Sequence, residues 1–217
     1  MESIIRVAVD GPSGAGKSTI AKAIAKKMNI DYIDTGAMYR AIGFKMKNAG
    51  IASTDSENLQ QALNHTEIDF SQGNIILDGK IINDEIRTPQ ISAAASEYSA
   101  IPMVRAKLVE LQRAMGHKKS VIMDGRDIGT NVLTDAQYKF FITASAKERA
   151  NRRYKELIEK GQDVNLDKIL EDIETRDHND MTRKLNPLKK ADDAIEVDTT
   201  EMSIDQVIDF ICKEMKK

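Results

Sequence analysis

The sequence predicts an α/β fold in which helices cover both faces of a parallel β-sheet. Three observations predict it: short β-branched runs typical of buried strands, helical stretches with one apolar face between them, and a glycine-rich turn after the first strand. Strands that alternate with helices are typical of parallel sheets. With 217 residues, 41% hydrophobic and 30% charged, the chain has an ordinary globular composition and can bury a real core. We therefore expect one domain over residues 1–217.

The periodicity supports each element in turn. Residues 4–9 predict a buried strand that ends at Asp10-Gly11. A helix is expected over residues 17–28, because Ile20, Ile24 and Met28 recur every four residues. The remaining predictions, in chain order, are a strand at 32–33, a helix near 37–48, strands at 121–123, 140–142 and 194–197, and a closing helix at 203–216.

One region interrupts this alternation. Residues 51–71 are polar and give no clear assignment, and Asp78-Gly79 then separates two β-type runs. Asp-Gly in that position is a strong signal for a two-residue hairpin turn. We therefore expect a small antiparallel unit over about residues 63–95, inserted in the α/β core. It is equally compatible with surface decoration and with a substrate-binding lobe.

Composition excludes several classes of protein. No apolar run is long enough to span a bilayer, and residues 1–3 lead into a strand rather than a secretory signal. The single cysteine, Cys212, excludes an internal disulfide and a Cys-rich zinc site, and it is expected to be buried in the last helix. A net charge of −2 argues against general nucleic-acid coating. We expect a cytoplasmic protein with surface histidines at His65, His117 and His178.

The strongest motif is a phosphate-binding loop that follows the first strand and opens a helix. It fits the G-x-x-x-x-G-K-[ST] pattern at every required position. Its glycines let successive N–H groups point at phosphate oxygens, and the helix N-terminus adds positive potential. Lys17 would meet the β- and γ-phosphates and Ser18 would offer a hydroxyl to Mg²⁺. The residues expected at ATP are Gly11, Pro12, Ser13, Gly14, Ala15, Gly16, Lys17, Ser18 and Thr19.

The loop predicts nucleoside triphosphate binding and leaves three classes open: a kinase for a small acceptor, a GTPase switch and an ATPase motor. A guanine-specific GTPase usually carries an Asn-Lys-x-Asp segment, which this sequence lacks. A transporter-type ATPase needs a longer chain with a signature loop. A small-acceptor kinase needs a second anion pocket that faces the loop, which arginines would supply.

Two arginine groups share predicted helix faces. Arg149, Arg152 and Arg153 have spacings of three and four residues, as do Arg176, Asp180 and Arg183. Taken alone, the first group is more often a solvated stripe that pairs with glutamates, and Arg176 with Asp180 is more often a surface pair.

Two further segments follow predicted strands, at the sheet edge where α/β proteins bind ligands. They are residues 35–40, which contain Tyr39 and Arg40, and residues 123–127, which contain Asp124, Arg126 and Asp127. The aspartates could also cap a helix, and Tyr39 could be a core residue. Convergence of these segments beside a nucleotide loop favours a functional role.

These motifs together resemble bacterial cytidylate kinases of the long form, over nearly the whole chain. The segments that carry the resemblance are residues 10–17, 34–40, 85–88, 124–130, 176–183 and 197–200. The resemblance implies a nucleoside monophosphate kinase-like fold with a five-stranded parallel sheet. It also implies a monophosphate-binding lobe at about residues 37–100 that carries the inserted unit, and a mobile lid near 149–165.

The resemblance further implies transfer of a phosphoryl group from Mg²⁺·ATP to CMP or dCMP, and it assigns roles by motif. Tyr39, Arg40, Arg126 and Arg183 would meet the CMP phosphate, together with Thr35, which stands where the family often has serine. Arg176 and Asp180 would meet the sugar. Ser96, Arg105 and Asp127 would meet the base, where an Asp acceptor and an Arg donor suit the edge of cytosine rather than uracil.

The expected mechanism is direct in-line transfer without a covalent intermediate, since the acceptor phosphate is already nucleophilic. The charge-stabilising residues would be Lys17, Arg126, Arg149, Arg153 and Arg183. Asp124 would hold a water of the Mg²⁺ shell. We expect a monomer that binds small nucleotides and neither nucleic acid nor membrane. Two alternatives remain: a kinase for another acceptor such as UMP, and a nucleotide-binding regulator with slow turnover.

Overall fold

The computed structural model describes residues 4–71 and 73–216. Its contacts divide the chain into two compact units: one combines the residues up to Tyr32 with those from Lys119 onward, and the other is Ile33–Lys118. The first half of the chain contains β1 Arg6–Asp10, α1 Lys17–Met28, β2 Asp31–Asp34, α2 Thr35–Asn48, α3 Ser56–Asn64, β3 Ile68–Ser71, β4 Asn74–Leu77, β5 Lys80–Ile81 and α4 Pro89–Ser99. The second half contains α5 Pro102–Lys118, β6 Val121–Gly125, β7 Tyr138–Thr143, α6 Ala146–Glu159, α7 Leu166–Thr182, β8 Ile195–Asp198 and α8 Ile204–Glu214.

The main sheet has five strands in the order β2-β6-β1-β7-β8. Strand β1 lies in the middle, and its Val9 pairs in parallel register with Asp124 of β6 and Phe140 of β7. Adjacent strands that are not consecutive in the chain require crossover connections, which here are helical. The carboxyl ends of β1 and β6 therefore lie side by side, at the edge where α/β proteins bind ligands.

The first unit has a core between this sheet and two helices. Val7 and Val9 of β1 pack with Ile24 of α1 and with Val207 and Ile211 of α8, all at most 1% exposed. Truncation of such a side chain to alanine typically costs about 2–5 kcal/mol of the free energy of unfolding. This core fixes the start of α1, and therefore the phosphate loop before it.

The second unit combines helices with a three-stranded antiparallel sheet in the order β3-β4-β5. Helices α2 and α4 pack closely at Gly43, where an added Cβ would lie 3.0 Å from the Ala95 nitrogen. Asp78 and Gly79 both have positive φ in the β4–β5 turn, as a two-residue hairpin requires. No helix among residues 4–71 and 73–216 is long and apolar enough to cross a membrane.

The sequence-based fold prediction is confirmed: the chain forms a five-stranded parallel sheet and a separate small antiparallel sheet. Two details differ from the expectation. Residues 51–71, left without assignment, form α3 and β3, and only Leu59 and Leu63 of α3 are buried. The strands of the inserted unit end at Ile81, and α4 begins at Pro89 because the Thr88 side chain caps it. The predicted lobe, 37–100, falls inside the second compact unit.

Candidate active site

The phosphate loop connects β1 to α1 in the geometry that its glycines permit. Gly11, Gly14 and Gly16 have φ of 146°, 77° and 86°, a region that residues with a side chain rarely adopt. At Gly11 a Cβ would lie 1.9 Å from the Ile142 carbonyl oxygen. Gly11 is therefore required both by its backbone angle and by close contact with β7. The curled backbone opens directly onto the N-terminus of α1, a favourable site for phosphate.

Lys17 is buried at the base of this loop, and its Nζ donates a hydrogen bond of 2.6 Å to the Pro12 carbonyl oxygen. Burial, followed by the nearby Arg126 charge, lowers the pKa of Lys17 to about 7. An anionic phosphate would reverse that shift by stabilising the ammonium. The environment of Lys17 thus favours the binding of an anionic ligand.

Ser18 and Asp124 meet beside the loop. The Ser18 hydroxyl donates a 2.7 Å hydrogen bond to Asp124 Oδ2, and the Tyr32 hydroxyl donates one of 2.8 Å to Oδ1. Hydroxyl and carboxylate oxygens are suitable ligands for Mg²⁺, which in phosphoryl-transfer sites takes one or two protein oxygens and completes its shell with phosphates and waters. Within the described residues no cluster of three or more metal-ligating His, Cys, Asp or Glu side chains occurs. The arrangement therefore fits a cation that arrives with a nucleotide.

A cavity of about 800 Å³ extends from the phosphate loop. Its walls are the start of α1, the arginine face of α6 and the segment that joins β8 to α8, and its lining includes Thr19, Arg153, Glu156, Thr200 and Met202. That volume lies within the range of small-molecule sites. The cavity is large enough for a nucleoside triphosphate whose phosphates enter the loop.

The three arginines of α6 have different environments. Arg149 is 4% exposed and donates to the carbonyl oxygens of Ser13 and Ala144 and to Asp177. Arg152 pairs with Glu148 and also donates to Thr199.

Arg153 is the most accessible of the three and pairs with Glu156 at 2.8 Å. Arg152 and Arg153 thus pair with glutamates, as expected of a solvated stripe, whereas Arg149 is buried. Helix α6 ends at Glu159, and Gly161 just after it has φ of 73°.

A second positively charged cluster lies in the same unit. Asp180 on α7 accepts a 2.7 Å hydrogen bond from Arg126 Nε, and Arg183 Nη1 lies 3.9 Å from its other oxygen. Burial alone would raise the pKa of Asp180, but the charges of Arg126, Arg176 and Arg183 outweigh it and hold that pKa below its ordinary value. Asp127, which is 5% exposed, accepts a 3.1 Å hydrogen bond from Arg183 Nη2. The charges of Arg126, Arg176 and Arg183 thus all act on one carboxylate, that of Asp180.

Asp10 is a site residue whose role the sequence does not reveal. Its carboxylate accepts hydrogen bonds of 2.8 Å and 2.7 Å from the N–H groups of Ile128 and Gly129, the first residues of a short π-helical turn at Ile128–Val132. Burial raises the pKa of Asp10 to about 6, against the lowering effect of those two N–H donors. Asp10 therefore ties the end of β1 to the turn that follows Arg126 and Asp127. Only its position beside the loop motif could have drawn attention to it.

The remaining predicted residues lie in the second unit. Arg40 pairs with Asp34 at 3.0 Å, and the Arg105 guanidinium lies 5.6 Å from the centre of the Tyr39 ring. Thr35 and Arg105 are buried at 3% exposure, whereas Ser96 is exposed. Tyr39 and Arg105 thus lie close together within the second unit.

The fold and the loop define a P-loop phosphotransferase-like α/β protein. A solved shikimate kinase from Bacteroides thetaiotaomicron has the same fold, with a TM-score of 0.51 and 11% identity over 99% of this chain and 100% of that one. The cytidylate kinase family model matches residues 7–217, and the chain belongs to that family.

Relatives that bear the name cytidylate kinase match over nearly their whole length. One from Clostridioides difficile (strain 630) is 50% identical over 209 residues, which cover 96% of this chain and 97% of the relative. One from Clostridium perfringens (strain SM101 / Type A) is 51% identical over 217 residues and covers 100% of both.

Proposed function

We propose that this enzyme transfers the γ-phosphoryl group of ATP to CMP or dCMP, giving ADP and CDP or dCDP. The observation that carries the proposal is the pairing of two anion sites in one unit: the phosphate loop around Lys17, and the cluster of Arg126, Arg176 and Arg183 around Asp180. A triphosphate donor and a monophosphate acceptor need two such sites. The family match and the names of the relatives support cytosine as the base of the acceptor.

The donor would lie in the cavity beside α6 with its phosphates in the loop, contacting residues 11–19. Lys17 would stabilise the charge on the transferred phosphoryl group, and its low pKa in the free protein would rise on binding. Ser18 would bind Mg²⁺ and Asp124 would hold a water of its shell, and the ion supplies charge neutralisation at the phosphates when bound. No general base is needed, because the acceptor phosphate is already anionic.

The acceptor phosphate would displace part of the ion-pair network at Asp180. Arg126 and Arg183 would bind it, and the family resemblance also assigns Thr35, Tyr39 and Arg40 to the acceptor phosphate. Arginine suits this role because its planar fork makes two hydrogen bonds and keeps its charge. Arg176 and Asp180 would contact the sugar.

The cytosine base would meet Asp127, Arg105 and Ser96. Cytosine presents an N4 amino donor where uracil presents a carbonyl acceptor, so a carboxylate discriminates between them. Residues 149–165 would form the lid, whose closure excludes water and limits hydrolysis of ATP. Arg149 and Arg153 are its candidate charge-stabilising residues, and Arg153 already lines the donor cavity.

A single chain supplies the residues of both anion sites, so we propose that the enzyme works as a monomer. We also propose that it works in the cytoplasm, where ATP is available. Its partners would be small nucleotides rather than nucleic acid or membrane. Light scattering during size-exclusion chromatography, with and without nucleotides, tests the monomer directly.

The test of function is ADP release from Mg²⁺·ATP with CMP, dCMP, UMP, AMP, GMP or no acceptor. We expect rapid release with CMP or dCMP and little release without an acceptor. Preference for UMP would indicate a kinase for another acceptor. Equally slow release in every reaction would indicate a nucleotide-binding regulator and would remove the acceptor assignment.

A further inference from the structure

Three elements meet in a short chain of hydrogen bonds next to the phosphate loop. Tyr32 of β2 donates from its hydroxyl to Asp124 Oδ1 at 2.8 Å, and Ser18 of α1 donates to Asp124 Oδ2 at 2.7 Å. Asp124 itself is 5% exposed at the end of β6. Each carboxylate oxygen thus accepts from a different hydroxyl group.

This arrangement determines which atoms face a cation. A hydroxyl has one proton and two lone pairs, and the Ser18 proton is directed at Asp124. The lone pairs of Ser18 are therefore left for a metal ion. The Tyr32 hydrogen bond holds Oδ1 and so fixes the rotation of the carboxylate that orients Ser18.

We propose that Tyr32 is a positioning residue for the divalent cation of the nucleotide, acting through Asp124. The proposal rests on the proposed function, since it requires that nucleotide binds at the loop with a metal ion. Groups that hydrogen-bond to metal-facing side chains typically change metal affinity by about 10–100-fold when removed. The Tyr32 hydroxyl belongs to that class of group.

If Tyr32 had a purely structural role, loss of its hydroxyl would not affect Mg²⁺ specifically. The chain contains a matched control for this alternative. Tyr32 and Tyr138 are both half-buried tyrosines packed against the same hydrophobic core of the first unit. The Tyr32 hydroxyl donates to Asp124, whereas Tyr138 lies on β7 and takes part in no such bond to Asp124. Tyr32→Phe and Tyr138→Phe therefore remove the same atom from similar packing environments.

The experiment measures ADP binding by calorimetry with EDTA and with MgCl₂, for the wild type and both variants. The readout is the ratio of the two dissociation constants, which reports the metal rather than the nucleotide alone. For Tyr32→Phe we expect the Mg²⁺-dependent gain in affinity to fall about 10-fold, with the affinity in EDTA unchanged. Tyr138→Phe should keep the full gain.

A double variant separates action through Asp124 from general damage. If Tyr32 acts through that carboxylate, Tyr32→Phe should add little to the loss caused by Asp124→Asn. A full Mg²⁺-dependent gain in Tyr32→Phe, or fully additive losses in the double variant, would overturn the proposal. Wild-type protein that binds ADP equally well with and without Mg²⁺ would overturn it together with the metal site. Wild type that binds no ADP would overturn the proposed function itself.

Discussion

Arg149 of α6 and Asp177 of α7 form a buried ion pair, with Nη2 and Oδ2 2.6 Å apart. The same guanidinium donates to the Ser13 carbonyl oxygen at 2.8 Å. One side chain therefore connects the phosphate loop to α6, which makes up most of the candidate lid, and to α7, which follows it. These two bonds and the one to the Ala144 carbonyl oxygen use three of the five guanidinium N–H groups, so Arg149 can keep all three acceptors if it also contacts the transferred phosphoryl group.

Removal of one partner of this pair should strongly destabilise the protein. Asp177→Ala would leave the Arg149 charge buried without its carboxylate, which typically costs about 3–5 kcal/mol. Urea unfolding measures this loss. Glu156→Gln is the control, because it breaks the exposed ion pair with Arg153 on α6, the helix of Arg149, and should change the free energy of unfolding little. Equal effects of the two substitutions would contradict the structural role of Asp177.

Much of the fold is predictable from local pattern. Helix α1 has the expected bounds because its apolar positions repeat every four residues, and the β4–β5 hairpin follows from Asp78-Gly79. Helix α3 was not assigned because only Leu59 and Leu63 face the interior of that polar region. Its stability comes from tertiary packing more than from local periodicity.

The candidate site is likewise predictable only in part from local sequence. The phosphate loop is predictable because its chemistry lies within eight consecutive residues. The partners of Asp10 are 118 and 119 residues away in sequence, and Asp177 lies 28 residues from Arg149. Such contacts depend on which strands and helices are neighbours in the fold, and no local pattern encodes that arrangement.

Lys17→Ala should abolish most turnover. The substitution removes the buried ammonium that would stabilise charge on the transferred phosphoryl group, and loss of such a donor costs about 100-fold or more in kcat. Steady-state ADP release with saturating CMP measures the change. Lys26→Ala removes an exposed lysine from the same helix and should leave kcat unchanged. Near-normal turnover of Lys17→Ala would show that the loop does not act as proposed.

Arg183→Ala should impair the use of CMP selectively. Arg183 contributes to the positive cluster at Asp180 and donates to Asp127, so its loss weakens the proposed acceptor site but not the donor cavity. We expect KM for CMP to rise at least 10-fold, because a charged hydrogen bond contributes about 1.5–3 kcal/mol, while KM for ATP stays the same. Lys184→Ala, at the exposed neighbouring position, should change neither constant. Unaltered CMP kinetics would place Arg183 outside the acceptor site.

Asp127→Asn should reduce the preference for CMP over UMP. The carboxylate accepts from the cytosine amino group in the proposed complex, whereas an amide can also donate to the uracil carbonyl. The measurement is the ratio of kcat/KM for the two acceptors, which cancels general effects on turnover. Asp135→Asn, at an exposed carboxylate that pairs with Arg6, should leave that ratio unchanged. If Asp127→Asn also leaves it unchanged, the base is recognised by other residues.

Asp10 should make the free energy of unfolding depend on pH. Burial raises its pKa from 3.8 to about 6 in the folded protein, so between these values the folded state binds more protons than the unfolded state. The protonated Asp10 therefore contributes its full share to the free energy of unfolding below about pH 4. That contribution, about 3 kcal/mol in total, is lost as the pH rises through 6. Urea unfolding from pH 4 to 7 tests this in the wild type and in Asp10→Asn, which lacks the titrating carboxyl. The wild type should lose stability relative to the variant across that interval, because only its carboxylate must ionise inside the protein. A constant difference between the two proteins at every pH would show that Asp10 does not titrate in this range, and that its two N–H donors compensate fully for its burial.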